Sequence, residues 1–503
     1  MSQAVVSLNA GMLLPVLAPA IGAAVVLVVD VAAPRLRRTH YLVALVSLVF
    51  GAVATFAGLG MGSGVVRQTL CLPGGGQCMY AADAVASALQ LAALLAAGVT
   101  LLLSWPDDKK QSSGGTAVIV SLVLAATAGA TAVAGARDLG SWLVALELAT
   151  LPTVALVALR GARSAISGAI ALLTTALVSF ALLALSAALW FTATGSPFLT
   201  PAAALTAFDD PSRRPILVLA VALVIAGIGF KLSLVPFHAW TPEAYDGAPL
   251  PIAAFLAGVS KIAALAALLV VIRAIAPLGA PVLTSIAIVA AVSMTLGNIM
   301  ALRQDGVVRL LAWSTVAQAG WVVMPLATVS SAAVFASGAY LLAYVLATLL
   351  AFAVVAALVQ TRGAARARDL TSYRGLVQDH PVLGAALGLA LLSLAGLPPG
   401  VLGLVAKVTA LRPVVSSELW LLAVVAAVNA VLGVAVYTRW LRAALAAPDS
   451  PDASGVVATG GAVPAAAGAL RVHPATLVAV GSAAVALVVT SVWPQLVLGL
   501  LGS

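Results

Sequence analysis

Four ionisable residues sit where an apolar chain should exclude them. Lys231 closes GIGFKLSLVP, Lys261 lies in LAGVSKIAALAAL, Lys407 in VLGLVAKVTAL and Glu147 in DLGSWLVALELATLPTVALV. Each such charge near the middle of a bilayer costs about 2.5–3.5 kcal/mol on insertion scales, so four together oppose insertion by about 10 kcal/mol. Residues that expensive face a hydrated interior and pair with one another, unless they snorkel from helix ends. In a dry site an opposite charge decides whether each group keeps its charged form. Bringing a glutamate and a lysine together therefore holds the proton on the amine, and separating them releases it. Three lysines in one bundle, bridged by water, would form a proton relay.

The composition dictates what positions them. Of 503 residues, 63% are hydrophobic and only 8% charged, with a mean hydropathy of +1.15, against about 25% charged in an ordinary globular chain. Such a chain cannot cover its surface with polar groups, so its surface must face lipid. Repeated apolar runs of roughly 20 residues specify helices, because a lone strand leaves its backbone unsatisfied in lipid. The strict alternation over about 10 residues that marks a membrane β-barrel is not seen. The expected fold is an all-α polytopic membrane protein of about fourteen spans. The first runs over 11–33, the seventh over 215–235, the eighth over 249–272, an interrupted twelfth over 382–411 and the last over 475–501.

Charge in the loops orients these spans. Sixteen Lys and Arg fall in odd-numbered loops, among them Arg35, Lys109, Lys110, Arg160 and Arg471, and six in even-numbered ones. The positive-inside rule then places odd loops in the cytoplasm and both termini outside a bacterial plasma membrane. The basic residues are scattered rather than gathered in a patch, which argues against a nucleic-acid partner and for the lipid bilayer. No Lys or Arg precedes Arg35, so the start lacks a signal peptide's basic region and the first helix is expected to be retained. Cys71 and Cys78 flank LPGGGQ in the second loop; a disulfide is permitted on an oxidising outer side, and two unpaired thiols remain the alternative.

Prolines break two of the lysine-bearing spans. Pro236 follows Lys231, and Pro398–Pro399 precedes Lys407. A proline inside a helix removes a backbone hydrogen bond, and transporters use such breaks to expose backbone polar groups and half-helix dipoles at an ion site. Lys231 and Lys407 are 176 residues apart, and the Glu147 span begins about 170 residues before the one with Gln318. Spans four to eight thus match nine to thirteen. Five helices is an odd number, so two copies would be inverted relative to each other. The expected organisation is an N-terminal three-helix segment (1–110), a first antiporter-like repeat (115–275), a second, inverted repeat (279–443), a cytoplasmic linker (444–474) and a C-terminal helix (475–503), each repeat holding a broken helix.

With those residues in view, KLSLVPFHAWTPEAYDGAPLPIAAFLAGVSKIAAL, GNIMALRQDGVVRLLAWSTVAQAGW and LLSLAGLPPGVLGLVAKVTAL resemble the motifs of the antiporter-like membrane subunits of respiratory NADH:quinone oxidoreductase (complex I). PFHAWTPEAYDGAP favours the subunit N branch over L and M. The resemblance covers about residues 130–415 clearly. It implies a proton-translocating subunit in which Glu147 pairs with Lys231, Lys261 is the central lysine and Lys407 lies towards the outer exit, with His238 in the break as a further candidate. It also implies neighbours among the complex's membrane subunits (M, K, J and the A/H side), with NADH, FMN, iron–sulfur clusters and quinone on partner chains and no cofactor or metal on this one. Consistent with that, no GxGxxG follows a strand and no cysteine cluster is present. Gln318 departs from the pattern, standing where many relatives carry a histidine, and the sixth span lacks a lysine that some relatives have. Two other functions fit the residues less well: a subunit of a multi-chain cation/proton antiporter, and a scaffold that only spaces other subunits.

Overall fold

The computed structural model describes residues 8–502 apart from 35, 60, 63, 74–76, 106–114, 160, 329 and 448–471. Most of the linker expected over 444–474, and the basic residues Arg35, Lys109, Lys110, Arg160 and Arg471, lie outside the described residues.

Three spans open the chain: α1 (Ala10–Ala32), α2 (Arg37–Thr55) and α3 (Ala84–Ser104). Between the last two runs an antiparallel hairpin, β1 (Arg67–Cys71) and β2 (Cys78–Ala82), with Cys71 opposite Cys78. The two cysteines are bonded as a disulfide that closes this hairpin. The all-α expectation is corrected at this one place. Residues 67–79 fall in the loop expected between spans at 42–62 and 80–104, because five-residue strands give little periodic signal, and residues 80–82 are strand rather than the start of the third span; the disulfide supplies the closure that a two-stranded hairpin otherwise lacks.

The central body begins with α4 (Gly115–Gly135), α5 (Leu139–Ala158), α6 (Arg163–Thr194), the short α7 (Pro201–Asp209) and α8 (Arg214–Leu232). After α8 the chain breaks, re-forms as α9 (Trp240–Gly247), and continues as α10 (Leu250–Ala257) and α11 (Val259–Ile275). The eighth span is therefore not continuous. It is interrupted at Gly258, where φ −105° and ψ −86° end one helix and start the next. No proline marks that break, so it carries no signal in the residues around it.

Next come α12 (Ala280–Leu302), α13 (Val307–Val323), α14 (Ser331–Arg362) and two short connectors, α15 (Ala364–Ala367) and α16 (Leu376–Asp379). The expected interrupted twelfth span is two helices, α17 (Pro381–Ala395) and α18 (Val401–Ser416). The chain closes with α19 (Trp420–Leu445), α20 (Pro474–Val492) and α21 (Gln495–Leu500). Thirteen spans among the described residues are long and apolar enough to cross a membrane, and the bent pair made by residues 371–379 and α17, taken as one further span, brings the total to the fourteen read from the sequence.

Two features of packing matter for the site. First, α11, α13 and α14 are almost wholly buried, whereas α1, α2, α6 and α19 leave apolar faces open. Lys261 and Gln318 thus sit on helices shielded from lipid. Second, the same close approach occurs twice. A Cβ at Gly129 would lie 2.3 Å from the Ala149 amide nitrogen, and one at Gly297 would lie 2.4 Å from that of Ala317. Only glycine lets α4 meet α5, and α12 meet α13, at these points. The two contacts are 168 residues apart in sequence, close to the repeat spacing of the lysines.

Candidate functional site: a buried row of lysines on two broken helices

The end of α8 is where the first three expected residues meet. Lys231 occupies the last turn of α8, and its Nζ donates to Glu147 Oε1 and to Thr150 Oγ1, both at 2.9 Å. Glu147 and Thr150 are three residues apart on α5 and so share one face of that helix. Both side chains of the ion pair are mostly buried, at 6% exposure for Lys231 and 13% for Glu147. Trp142 Nε1 donates to the Ala267 carbonyl at 3.2 Å and so fixes α5 against α11. A small cavity of about 20 Å³ adjoins Lys231, lined by the hydroxyls of Thr150, Thr153, Thr175, Ser179 and Ser260. That is room for about one or two waters.

Ser233 then turns the chain. It takes a left-handed conformation (φ 67°) and its amide reaches back to the Phe230 carbonyl. The carbonyls exposed at a helix end need partners, and three of them find one here. Leu234 N donates to Gly229 O, Trp240 Nε1 to Phe230 O, and Lys261 Nζ to Lys231 O at 2.9 Å. Lys261 also donates to Ser233 Oγ at 2.5 Å, which accepts from Thr241 Oγ1 as well. The amine of Lys261 therefore caps the negative end of the α8 dipole, an arrangement that favours a cation. Yet Lys261 itself lies in the first turn of α11, where the positive end of another dipole disfavours one. No carboxylate among the described residues lies within ion-pair distance of it. Its ammonium instead faces the Trp240 ring, 4.8 Å from the centroid, a contact that attracts a cation.

Lys407 repeats this arrangement at the second break. Gly396 ends α17 in a left-handed conformation (φ 78°), and Lys407 Nζ donates to the Ala395 carbonyl. A Cβ at Gly396 would stand 2.9 Å from Lys407 Cδ and 3.2 Å from its Nζ, so a side chain there would crowd the amine. Lys407 faces the Trp321 ring at 5.7 Å. Like Lys261, it has backbone and ring partners but no carboxylate among the described residues.

The structure thus brings Glu147, Lys231 and Lys261 together and sets Lys407 apart, on its own broken helix. His238 is in the first break, half-buried, with its ring 5.2 Å from that of Trp313 and its Nδ1 without a hydrogen-bond partner. It touches none of the lysines through a hydrogen bond. Glu243, the other charge in the opening motif, pairs with Arg309 at 3.4 Å, and Asp246 pairs with Arg368 at the same distance. These two carboxylates serve a charged layer in which Arg439 also meets Asp305, at 2.6 Å. Sequence reasoning missed Thr150, Ser233, Trp240 and Trp321. The first two had one available signal, a hydroxyl next to or one turn from a buried charge; the tryptophans had none.

A many-span helical membrane protein whose buried amines cap two interrupted helices has the architecture of an antiporter-like transport subunit. Residues 136–433 match the family described as NADH:quinone oxidoreductase/Mrp antiporter, TM. The chain is 37% identical over 419 residues to an NADH-quinone oxidoreductase subunit N from Streptomyces griseus, spanning 81% of this chain and 77% of that one. It is 39% identical over 422 residues to subunit N from Salinispora tropica, spanning 80% and 79%. Among solved structures, a chain of respiratory complex I from Thermus thermophilus is 30% identical with a TM-score of 0.75, covering 96% of this chain and 98% of that one. A chain of the Mrp complex from a Dietzia species has a TM-score of 0.81 at 21% identity, covering 98% and 97%. The chain belongs to the antiporter-like membrane-subunit family of NADH:quinone oxidoreductase, in its subunit N branch. It is a multi-pass membrane protein of a kind built into multi-subunit membrane complexes.

Proposed function

We propose that this chain translocates protons within the membrane arm of a bacterial NADH:quinone oxidoreductase, along Glu147, Lys231, Lys261 and Lys407. The observation that carries the reading is the ion pair at 2.9 Å between Lys231 and Glu147, next to an amine, Lys261, that hydrogen-bonds the backbone of Lys231 itself. Loosening that ion pair frees the Lys231 proton, and the amine closest along the row accepts it. The proton passes from Lys261 to Lys407 and leaves, and uptake next to Lys231 restores the starting state. Moving one charge against 100 mV takes about 2.3 kcal/mol, so redox chemistry on partner chains supplies the drive.

Within the same proposal, the odd-numbered loops with their arginines face the cytoplasm of a bacterial plasma membrane and both termini face outward. Residues 115–275 and 279–443 are inverted copies. The neighbours are the complex's other membrane subunits, M, K, J and the A/H side, and NADH, FMN, iron–sulfur clusters and quinone belong to partners.

The fold likeness to the Mrp chain favours a second reading, a subunit of a multi-chain cation/proton antiporter. Against it, the identity is 21% there and 37–39% to the subunit N relatives. The test is Lys261→Met in the assembled complex. Proton pumping lost with assembly intact supports transport; normal pumping overturns it and leaves a scaffold.

A further inference from the structure

A cavity of about 630 Å³ adjoins the disulfide-closed hairpin and touches none of Glu147, Lys231, Lys261 or Lys407. Its volume falls within the roughly 300–1,000 Å³ of ligand pockets. The hairpin, the start of α3, the turn between α4 and α5, the end of α11, the start of α14 and the chain beyond α21 line it. The ends of several spans therefore meet here, at the level where a bilayer has its headgroups.

Three charged side chains line the cavity: Asp83, Arg137 and Arg273. Asp83 is engaged through both oxygens. Its Oδ1 accepts from the Ala86 amide at 2.8 Å and caps α3, and its Oδ2 pairs with Arg273 at 2.7 Å. Arg137 has no carboxylate partner among the described residues. Its Nη1 donates to the Ala134 and Ala136 carbonyls at 3.3 and 3.0 Å, which leaves Nε and Nη2 without a hydrogen bond there. Desolvation, and then the neighbouring Arg273, push the Arg137 guanidinium down to about 10. Two cations thus face one anion that is already shared. Even-numbered loops hold only six basic residues against sixteen in odd-numbered ones, so two arginines in one cavity are not the background of a basic face.

The backbone fixes Arg137 in advance. Its amide donates to the Met79 carbonyl in β2 at 2.9 Å, and its carbonyl accepts from the Leu199 amide at 3.0 Å. Gly135 permits this approach, because a Cβ there would lie 2.3 Å from the Tyr80 ring. A site held in place by its backbone loses little freedom when a ligand binds. Thr200, the N-cap of α7, brings the N-terminus of that helix to the same cavity, and its dipole favours an anion. Val65, Val66, Val85, Leu199, Phe335 and Leu501 supply apolar wall.

We propose that this cavity binds an anionic phospholipid, with its phosphate on Arg137 and Arg273 and an acyl chain against Val66 and Phe335. Guanidinium forks match the oxygens of a phosphate, and the apolar wall suits a hydrocarbon chain. The lipid then ties the hairpin to the ends of α11 and α14, beside the disulfide. Nothing in this site depends on the path of the protons.

The test uses the assembled complex in phosphatidylcholine nanodiscs, with added phosphatidylglycerol that carries a photoactivatable acyl chain. After illumination, mass spectrometry reads the label on the peptide that contains Phe335. The parent complex is labelled there, and unlabelled phosphatidylglycerol competes. Arg137→Gln leaves the Arg273–Asp83 pair in place and lowers labelling about tenfold, the effect of one hydrogen bond to a charged group. Val66→Trp, at an exposed position, fills the cavity and lowers labelling with both arginines intact; it decides alone if Arg137→Gln does not assemble. Inorganic phosphate, added as the competitor, leaves labelling unchanged. No label at Phe335 in the parent, or labelling that neither variant lowers, overturns the site. Competition by inorganic phosphate as strong as by the lipid makes it a site for free phosphate and overturns the lipid.

Discussion

Lys231 and Lys407 are both buried amines at interrupted helices, yet their surroundings differ. Lys231 is held by a carboxylate, Glu147, and a hydroxyl, Thr150. Lys407 is held by one backbone carbonyl and the face of a tryptophan. A carboxylate partner is a full charge that can be moved or neutralised, so the first site is able to respond to a distant electrostatic event. A carbonyl at a helix end is a fixed dipole and gives the second site a constant, weaker hold. Under the proposed function, the first break would hold the switch and the second the release step. Lys261 belongs with Lys407 in its partners but with Lys231 in its position, and so stands between them.

The comparison is broken or sharpened by a graded series of variants. The largest effect is expected from Glu147→Ala. It leaves a buried ammonium with a hydroxyl alone, and removing one partner of a buried pair typically costs about 3–5 kcal/mol; thermal unfolding of the purified complex and the yield of assembled enzyme read this out. The double variant Glu147→Gln with Lys231→Met should recover most of that stability while pumping stays lost, because removing both charges also removes the burial cost. Were the double variant to pump, the first site would be structural.

Gly396→Ala comes next. The added Cβ lies 2.9 Å from Lys407 Cδ in a left-handed position that costs about 1–2 kcal/mol for a side chain. It should slow pumping while leaving the Glu147–Lys231 pair intact, which is read by adding Glu147→Ala to it and finding additive stability losses. The smallest effect is expected from Arg309→Gln. This ion pair with Glu243 is about half exposed on both sides, and such pairs contribute under about 1 kcal/mol; assembly and pumping should change little.

Much of this was legible in the sequence, for a specific reason. A lysine in an apolar run is so costly that its presence identifies a site without any knowledge of structure, and Lys231, Lys261 and Lys407 are all found buried. The prolines at 236, 398 and 399 marked two breaks for an equally direct reason. The break at Gly258 was not legible, because a lone glycine in a helical run is usually tolerated. Nor were the partners of Lys407. Backbone carbonyls leave no mark in a sequence, and Trp321 is 86 residues away along the chain. The hydroxyls that meet Gln318, those of Tyr340 and Tyr437, were invisible for another reason: Ser, Thr and Tyr are ordinary inside membrane helices, where hydroxyls satisfy nearby carbonyls, as Thr127 and Thr131 do here. Only their convergence on Gln318 separates them from that background.

The account stands on the two breaks being parts of one path in series. Its most direct test is the number of protons pumped per NADH oxidised by assembled complexes that carry Lys261→Met, Lys407→Met or both. A series path predicts that each single variant lowers the ratio equally and that the double variant loses nothing further. Additive losses, or a ratio unchanged by Lys407→Met, would contradict it.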